Sequence, residues 1–235
     1  MDKVDQIIDI YNKVIKGVET EALSSQKRAY GGIIRAEKGK LVEEISRLIV
    51  EVSWEKLKQD KKRLSFPKKS FKIPIKRNYL KKLDPEVRDY IEQNIKDFYY
   101  SCKPDIAVFI DNNFSTAIEC KAYTENAMLK RILVDFWLLK QLYPKINFVL
   151  IQLESQLGGD YSKLPYKPLG SPSTHTLLSY FDVDLKIITL LQGERDINKP
   201  IHKPEFFKPL TRESLNAAIK IMAGILKQWT NPSGK

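Results

Sequence analysis

The stretch that most constrains this chain is KPDIAVFIDNNFSTAIECKAY, residues 103–123. Two strand-like apolar runs flank Asp111-Asn112-Asn113, residue types suited to a tight turn. The pattern predicts a β-hairpin at the centre of a sheet. Yet it places Asp105, Glu119 and Lys121 in segments that otherwise read as sheet interior. Burying unpaired charge is expensive, so these three groups need a reason to be there.

Side chains alternate across a strand, so Glu119 and Lys121 share one face while Cys120 faces the other. Cys120 therefore reads as a small buried apolar residue. Whether Asp105 joins Glu119 depends on the hairpin register. A two-residue loop at Asn112-Asn113 pairs Asp105 with Cys120, on the wrong face. A three-residue loop over Asp111, Asn112 and Asn113, or a bulge, pairs Asp105 with Glu119. In that register two carboxylates and an ammonium converge. Two carboxylates repel unless something positive lies between them, and Mg²⁺ accepts one or two carboxylates plus water and phosphate oxygens. Asp105 and Glu119 are thus the expected metal ligands, and Lys121 is placed to position and deprotonate an attacking water. Such a site suits hydrolysis of a phosphodiester. The alternative is a purely structural Asp–Lys–Glu ion cluster at a sheet edge.

The charge distribution points to the same substrate. The net charge is +11, and residues 56–82 carry twelve Lys/Arg against one acid, Asp60, so the rest of the chain is balanced. Phe66, Phe71, Ile73, Ile75 and Tyr79 interleave with these lysines, and Pro67 and Pro74 stiffen the backbone. A bare charge run is usually a solvated loop. This one reads as an ordered surface facing a polyanion, with Lys68, Lys69, Lys72, Lys76, Arg77, Lys81 and Lys82 expected to contact DNA.

Around the hairpin, the periodicity predicts a helix from Val4 to Ile15 ending at Gly17, then a polar connection, then a helix over residues 41–57. On that second helix Glu44 falls on the predicted apolar stripe and Glu43 points away. A further helix begins at Asp84-Pro85, Thr124 caps a long one over residues 125–143, and another closes the chain. Strands are expected over residues 146–155 and 184–192. A Gly/Pro-rich loop spans residues 158–176. The sum is an α/β fold, a central mixed β-sheet flanked by helices, read as a single domain over residues 1–235.

Pro104-Asp105, fourteen intervening residues, and Glu119-Cys120-Lys121 resemble the PD-(D/E)XK nuclease superfamily. The resemblance implies a restriction endonuclease-like core and Mg²⁺-dependent cleavage of DNA. It also implies a glutamate on the helix preceding the motif, for which Glu44 is the expected residue. The helices, basic segment and loop added around one core resemble type II restriction endonucleases, which act as homodimers on short palindromes. Two other readings stay open: a structure-specific nuclease such as a junction resolvase, and a DNA-binding protein whose acidic cluster is only structural.

Other classes fit poorly. The only histidines are His175 and His202, too few for histidine-based metal nucleases. His202 is expected to pack against aromatic neighbours. No Gly-rich phosphate cradle is present. Cys102 and Cys120 cannot build a disulfide framework or a four-cysteine zinc site, and no apolar run is long enough to span a bilayer, so a cytoplasmic protein is expected.

Overall fold

The computed structural model describes residues 2–24, 29–163 and 170–231. Five strands form the main sheet in the order β1 (Leu64–Ser65), β4 (Ile106–Ile110), β5 (Asn113–Glu125), β6 (Asn147–Gln156), β7 (Leu185–Thr189). β1, β4 and β5 pair antiparallel, while β5–β6 and β6–β7 are parallel. The sheet is therefore mixed, as expected. β6 is buried along nearly its whole length, because helices cover both faces.

One face packs on α1 (Lys3–Ser24), α2 (Tyr30–Lys56) and α7 (Arg212–Leu226), with Ile45, Ile49, Ile118, Cys120, Ile151 and Met222 in a common core. The other packs on α5 (Asn126–Leu142), whose Leu129, Leu133 and Phe136 meet Ala117, Phe148 and Leu150. α6 (Pro172–Tyr180) lies against α5.

Several expectations are corrected. α1 runs through Gly17 to Ser24, and α2 starts at Tyr30, eleven residues before Leu41. An interior glycine costs a helix about 1 kcal/mol. Val18 and Ala22 recover this by packing against Ile33 and Ile34, a small core of their own between the two helices. Thr124 does not cap α5: it is a buried residue of β5, and Glu125 holds the cap position. Within the expected loop at 158–176, residues 164–169 lie outside the described residues. From Pro172 the chain is helical, with Ser171 Oγ accepting the Thr174 amide at 3.1 Å.

The basic segment contains a feature the periodicity did not announce. β2 (Phe71–Pro74) pairs antiparallel with β3 (Tyr99–Cys102) as a separate two-stranded ribbon. Phe71 and Ile73 turn inward, Phe71 stacking on Phe114 with centroids 4.5 Å apart, while Lys72 and Pro74 face solvent. α3 (Arg77–Leu80) and α4 (Pro85–Gln93) connect the two strands. Three residues after Cys102, at the ribbon's end, comes Asp105.

Candidate active site

The hairpin turn is Asp111-Asn112, both at positive φ (49° and 63°), with Ile110 opposite Asn113. That two-residue turn alone would leave Asp105 out of register with Glu119. Between Phe109↔Phe114 and Val108↔Thr116 the pairing shifts by one, so Ser115 is a bulge. Its hydroxyl donates to the Val108 carbonyl at 3.0 Å and is thereby satisfied in the core. Beyond the bulge Ile106, the first residue of β4, pairs with Ile118, a register that puts Asp105, just before the strand, on the side of Glu119, where both carboxylates reach Lys121. The register that the chemistry requires is achieved by a bulge rather than by an odd-length turn. Arg63 anchors the tip, its Nε and Nη2 gripping the Asp111 carboxylate at 2.7–3.1 Å.

At the far end of the hairpin the three charged groups meet. Lys121 Nζ donates to Asp105 Oδ2 at 2.9 Å, to Glu119 Oε2 at 2.7 Å and to the Cys120 carbonyl at 3.2 Å. Asp105 Oδ2 also accepts the Cys120 amide at 2.8 Å, taking the place of a ladder carbonyl where β4 has ended. Burial pushes the Glu119 carboxyl up to about 7, and Asp105 adds to this while Lys121 opposes it. Burial also works against the Lys121 ammonium, but Glu119 and Asp105 outweigh it and raise its pKa. The cluster is thus a partly buried ion network, which by itself contributes little to stability.

Three hard oxygens, Asp105 Oδ2, Glu119 Oε2 and the Cys120 carbonyl, already surround one positive charge. That donor set fits a hard divalent cation, with an ammonium in the cation's place. A thiophilic metal fits poorly: Cys120 is buried, and its Sγ is turned toward Ser46 Oγ of α2 at 3.4 Å. Among the described residues no three His, Cys, Asp or Glu side chains gather, so water and substrate oxygens would have to complete any coordination shell.

Glu44 is not brought to this cluster. It is exposed and lines the groove between α1 and α2 with Lys13, Val14 and Glu21. The buried stripe of α2 includes Val42, Ser46, Val50 and Ser53, which rotate it away from Glu44. Glu43, expected to point away, is the half-buried one, one helical turn from Ser46. Of the expected DNA contacts, Lys68, Lys69, Lys72, Lys76, Arg77, Lys81 and Lys82 are all exposed. Lys72 lies over the Tyr99 ring at 4.1 Å and Lys76 over Trp137 at 5.3 Å, so the segment is ordered by its aromatics. Arg63 and Lys61, from the same run, are committed to Asp111 and Glu55. His202 is held by polar groups instead of aromatic packing alone: Lys38 Nζ at 3.0 Å and Tyr30 Oη at 3.2 Å. Arg195, which no pattern in the sequence singles out, stacks on Tyr123 two residues past Lys121.

No family-level sequence profile matches the chain. The type II restriction enzyme DdeI of Desulfomicrobium norvegicum is 51% identical over 220 residues, which span 91% of this chain and 92% of that one. Among solved structures, the native BbvCI A2B2 tetramer covers 95% of this chain and 88% of its own at 13% identity and a TM-score of 0.38, a likeness too loose to carry an argument.

Proposed function

The chain belongs to the type II restriction enzymes and is a site-specific DNA endonuclease, and from that premise we propose that Asp105, Glu119 and Lys121 are its catalytic residues. The observation that carries this reading is the convergence of both carboxylates on one ammonium, made possible by the Ser115 bulge.

In this reading Asp105, Glu119 and the Cys120 carbonyl hold a divalent cation, with Mg²⁺ the best match to the oxygen donors. Bound there, the cation would supply positive charge to the phosphodiester oxygens and acidify water. The Lys121 ammonium, which its two carboxylates now hold protonated, would be displaced from them by the cation's charge, which would also favour its neutral form. In that form its N–H groups would orient the attacking water and the Nζ lone pair would take that water's proton. The Cys120 amide keeps Asp105 aimed while this happens. The exposed lysines of residues 68–82 hold the duplex by its phosphates, a grip that carries no sequence information. The ribbon sets one of these lysines, Lys72, opposite Ser101, four residues before Asp105.

One such site cuts one strand. Two chains related by a two-fold axis would match a palindrome with one scissile phosphate per strand, so the working unit is a homodimer. Exposed Val134 and Leu142 make α5 the better-placed interface.

The test is incubation with plasmid DNA and with a four-way junction, each with Mg²⁺ or with EDTA, alongside sedimentation of the DNA complex. Discrete plasmid fragments in Mg²⁺ only, from a protein bound two per duplex, are expected. Cutting confined to the junction, or binding without cutting, would overturn the reading.

A further inference from the structure

We propose that Arg195 is a phosphate clamp beside the catalytic centre, gripping a backbone phosphate next to the one that is cut. The proposal rests on the nuclease reading above.

After β7 the chain turns back along the end of β6. Ser155 and Glu194 form a parallel bridge, and the Arg195 amide donates to the Ser155 carbonyl at 2.8 Å. This course sends the Arg195 side chain to β5, where its guanidinium carbon lies 3.6 Å from the centroid of the Tyr123 ring. Nη1 donates to Gln156 Oε1 at 2.6 Å. Stacking and that hydrogen bond fix the plane of the guanidinium. Tyr123 is the next position after Glu119 and Lys121 in the alternation of β5, roughly 6.6 Å along the strand from Lys121.

The charge of Arg195 is not neutralised locally. Glu194, its neighbour, caps the Gly158 and Gly159 amides at 2.9 and 3.1 Å. Glu154 pairs with Lys208 at 2.7 Å. Among the described residues Arg195 has no ion pair, and Nε and Nη2 have no acceptor. A half-buried guanidinium held in place with one edge unfilled matches a phosphate, which takes two parallel N–H bonds from such an edge. A duplex with its scissile phosphate at Lys121 carries neighbouring phosphates of the same backbone past Tyr123, whereas its base edges lie deeper in the groove.

The structural alternative is that Arg195 only pins the segment after β7 to β6. Binding measured in EDTA separates the two. The probes are a short random-sequence duplex, a duplex carrying the mapped cut site, and copies of the latter with single neutral methylphosphonates around the cut. Arg195→Ala is expected to weaken binding of both unmodified duplexes about 10-fold or more. It should lower the slope of log affinity against log salt by about 0.9. One methylphosphonate beside the cut should weaken the wild type by a similar factor and leave Arg195→Ala unaffected, and Arg195→Lys should recover part of the loss.

Unchanged affinity and salt slope in Arg195→Ala would overturn the clamp. So would a loss equal on every methylphosphonate duplex together with a lowered melting temperature, which marks a structural pin. A loss confined to the cut-site duplex would mark a base contact instead. Should Arg195→Ala fail to fold, the methylphosphonate scan on wild type and Arg195→Lys decides: no phosphate beside the cut whose neutralisation distinguishes the two proteins would refute it. The underlying reading fails separately, if the wild type cuts no DNA in Mg²⁺.

Discussion

Replacing Lys121 with methionine removes the charge that holds Asp105 and Glu119 together while keeping most of the side-chain volume. Removing one partner from a fully buried ion pair costs about 3–5 kcal/mol. Here the Lys121 and Asp105 side chains are 30% and 28% exposed and Glu119 is 12% exposed, so solvent screens part of the loss. Glu119, already pushed up to about 7 by burial, can also take a proton and relieve the repulsion. The remaining cost is roughly 2 kcal/mol, which in a chain of this size lowers the melting temperature by about 4–8 °C. Divalent cation should reverse the sign of the comparison. In the wild type it must displace an ammonium; in Lys121→Met it has at most the proton on Glu119 to displace. Melting in EDTA and across a Mg²⁺ titration therefore should show the variant less stable without metal and more strongly stabilised by it. Cleavage should fall at least about 100-fold and stay low at saturating Mg²⁺, since the proton-moving group is gone. A variant that melts like wild type in EDTA, or gains no more from Mg²⁺ than wild type does, would refute the claim that Lys121 occupies the cation's place.

The remaining expectations concern the edges of the site. Replacing Lys68, Lys69 and Lys72 with alanine should weaken cut-site and random duplexes alike and flatten the salt dependence by up to about 0.9 log units for each phosphate no longer neutralised; unchanged affinity and slope would make the segment a solvated surface. Glu44→Gln should cleave within about twofold of wild type, as expected of an exposed substitution away from the site, and a large loss of turnover would show that α2 reorients on DNA. Glu119 holds a proton below about pH 7 and is then one charge poorer as a ligand. At limiting Mg²⁺, cleavage should rise with pH through about 7, with the inflection moving to lower pH as Mg²⁺ is raised; a flat profile over that range would contradict the assigned role of Glu119.

The hairpin, its charged face and the flanking helices were legible because they follow from alternation and from the cost of burying charge. The register was legible only as a requirement. Ser115 can sit in a regular strand or in a bulge, and only the observed bond to the Val108 carbonyl decides. Gly17 and the glycines at 31, 32 and 39 made the start of the chain look like a short helix and a connection, because the pairing of Val18 and Ala22 with Ile33 and Ile34 is tertiary. The four-residue ribbon strands are too short for a period, and β2 shows lysine and proline on its outer positions. Glu44 was misplaced for a similar reason: Ser46 and Ser53 are polar by type yet fully buried, so the apolar residues alone set the wrong centre for the α2 stripe. Arg195 left no signal at all, since the strand end that presents it to Tyr123 is a single bridge.

The central claim is that one cluster, assembled by the hairpin, does the cutting. Its most direct test compares wild type with Asp105→Ala on the same plasmid in Mg²⁺, with duplex binding measured in parallel in EDTA. Asp105→Ala removes a cation ligand and the acceptor of the Cys120 amide, but nothing that holds the duplex. The account predicts discrete fragments from wild type, intact plasmid from Asp105→Ala, and duplex affinity in the variant at least equal to that of wild type, because a negative charge facing phosphate has been deleted. The wild-type fragment pattern at near wild-type rate from Asp105→Ala would contradict it.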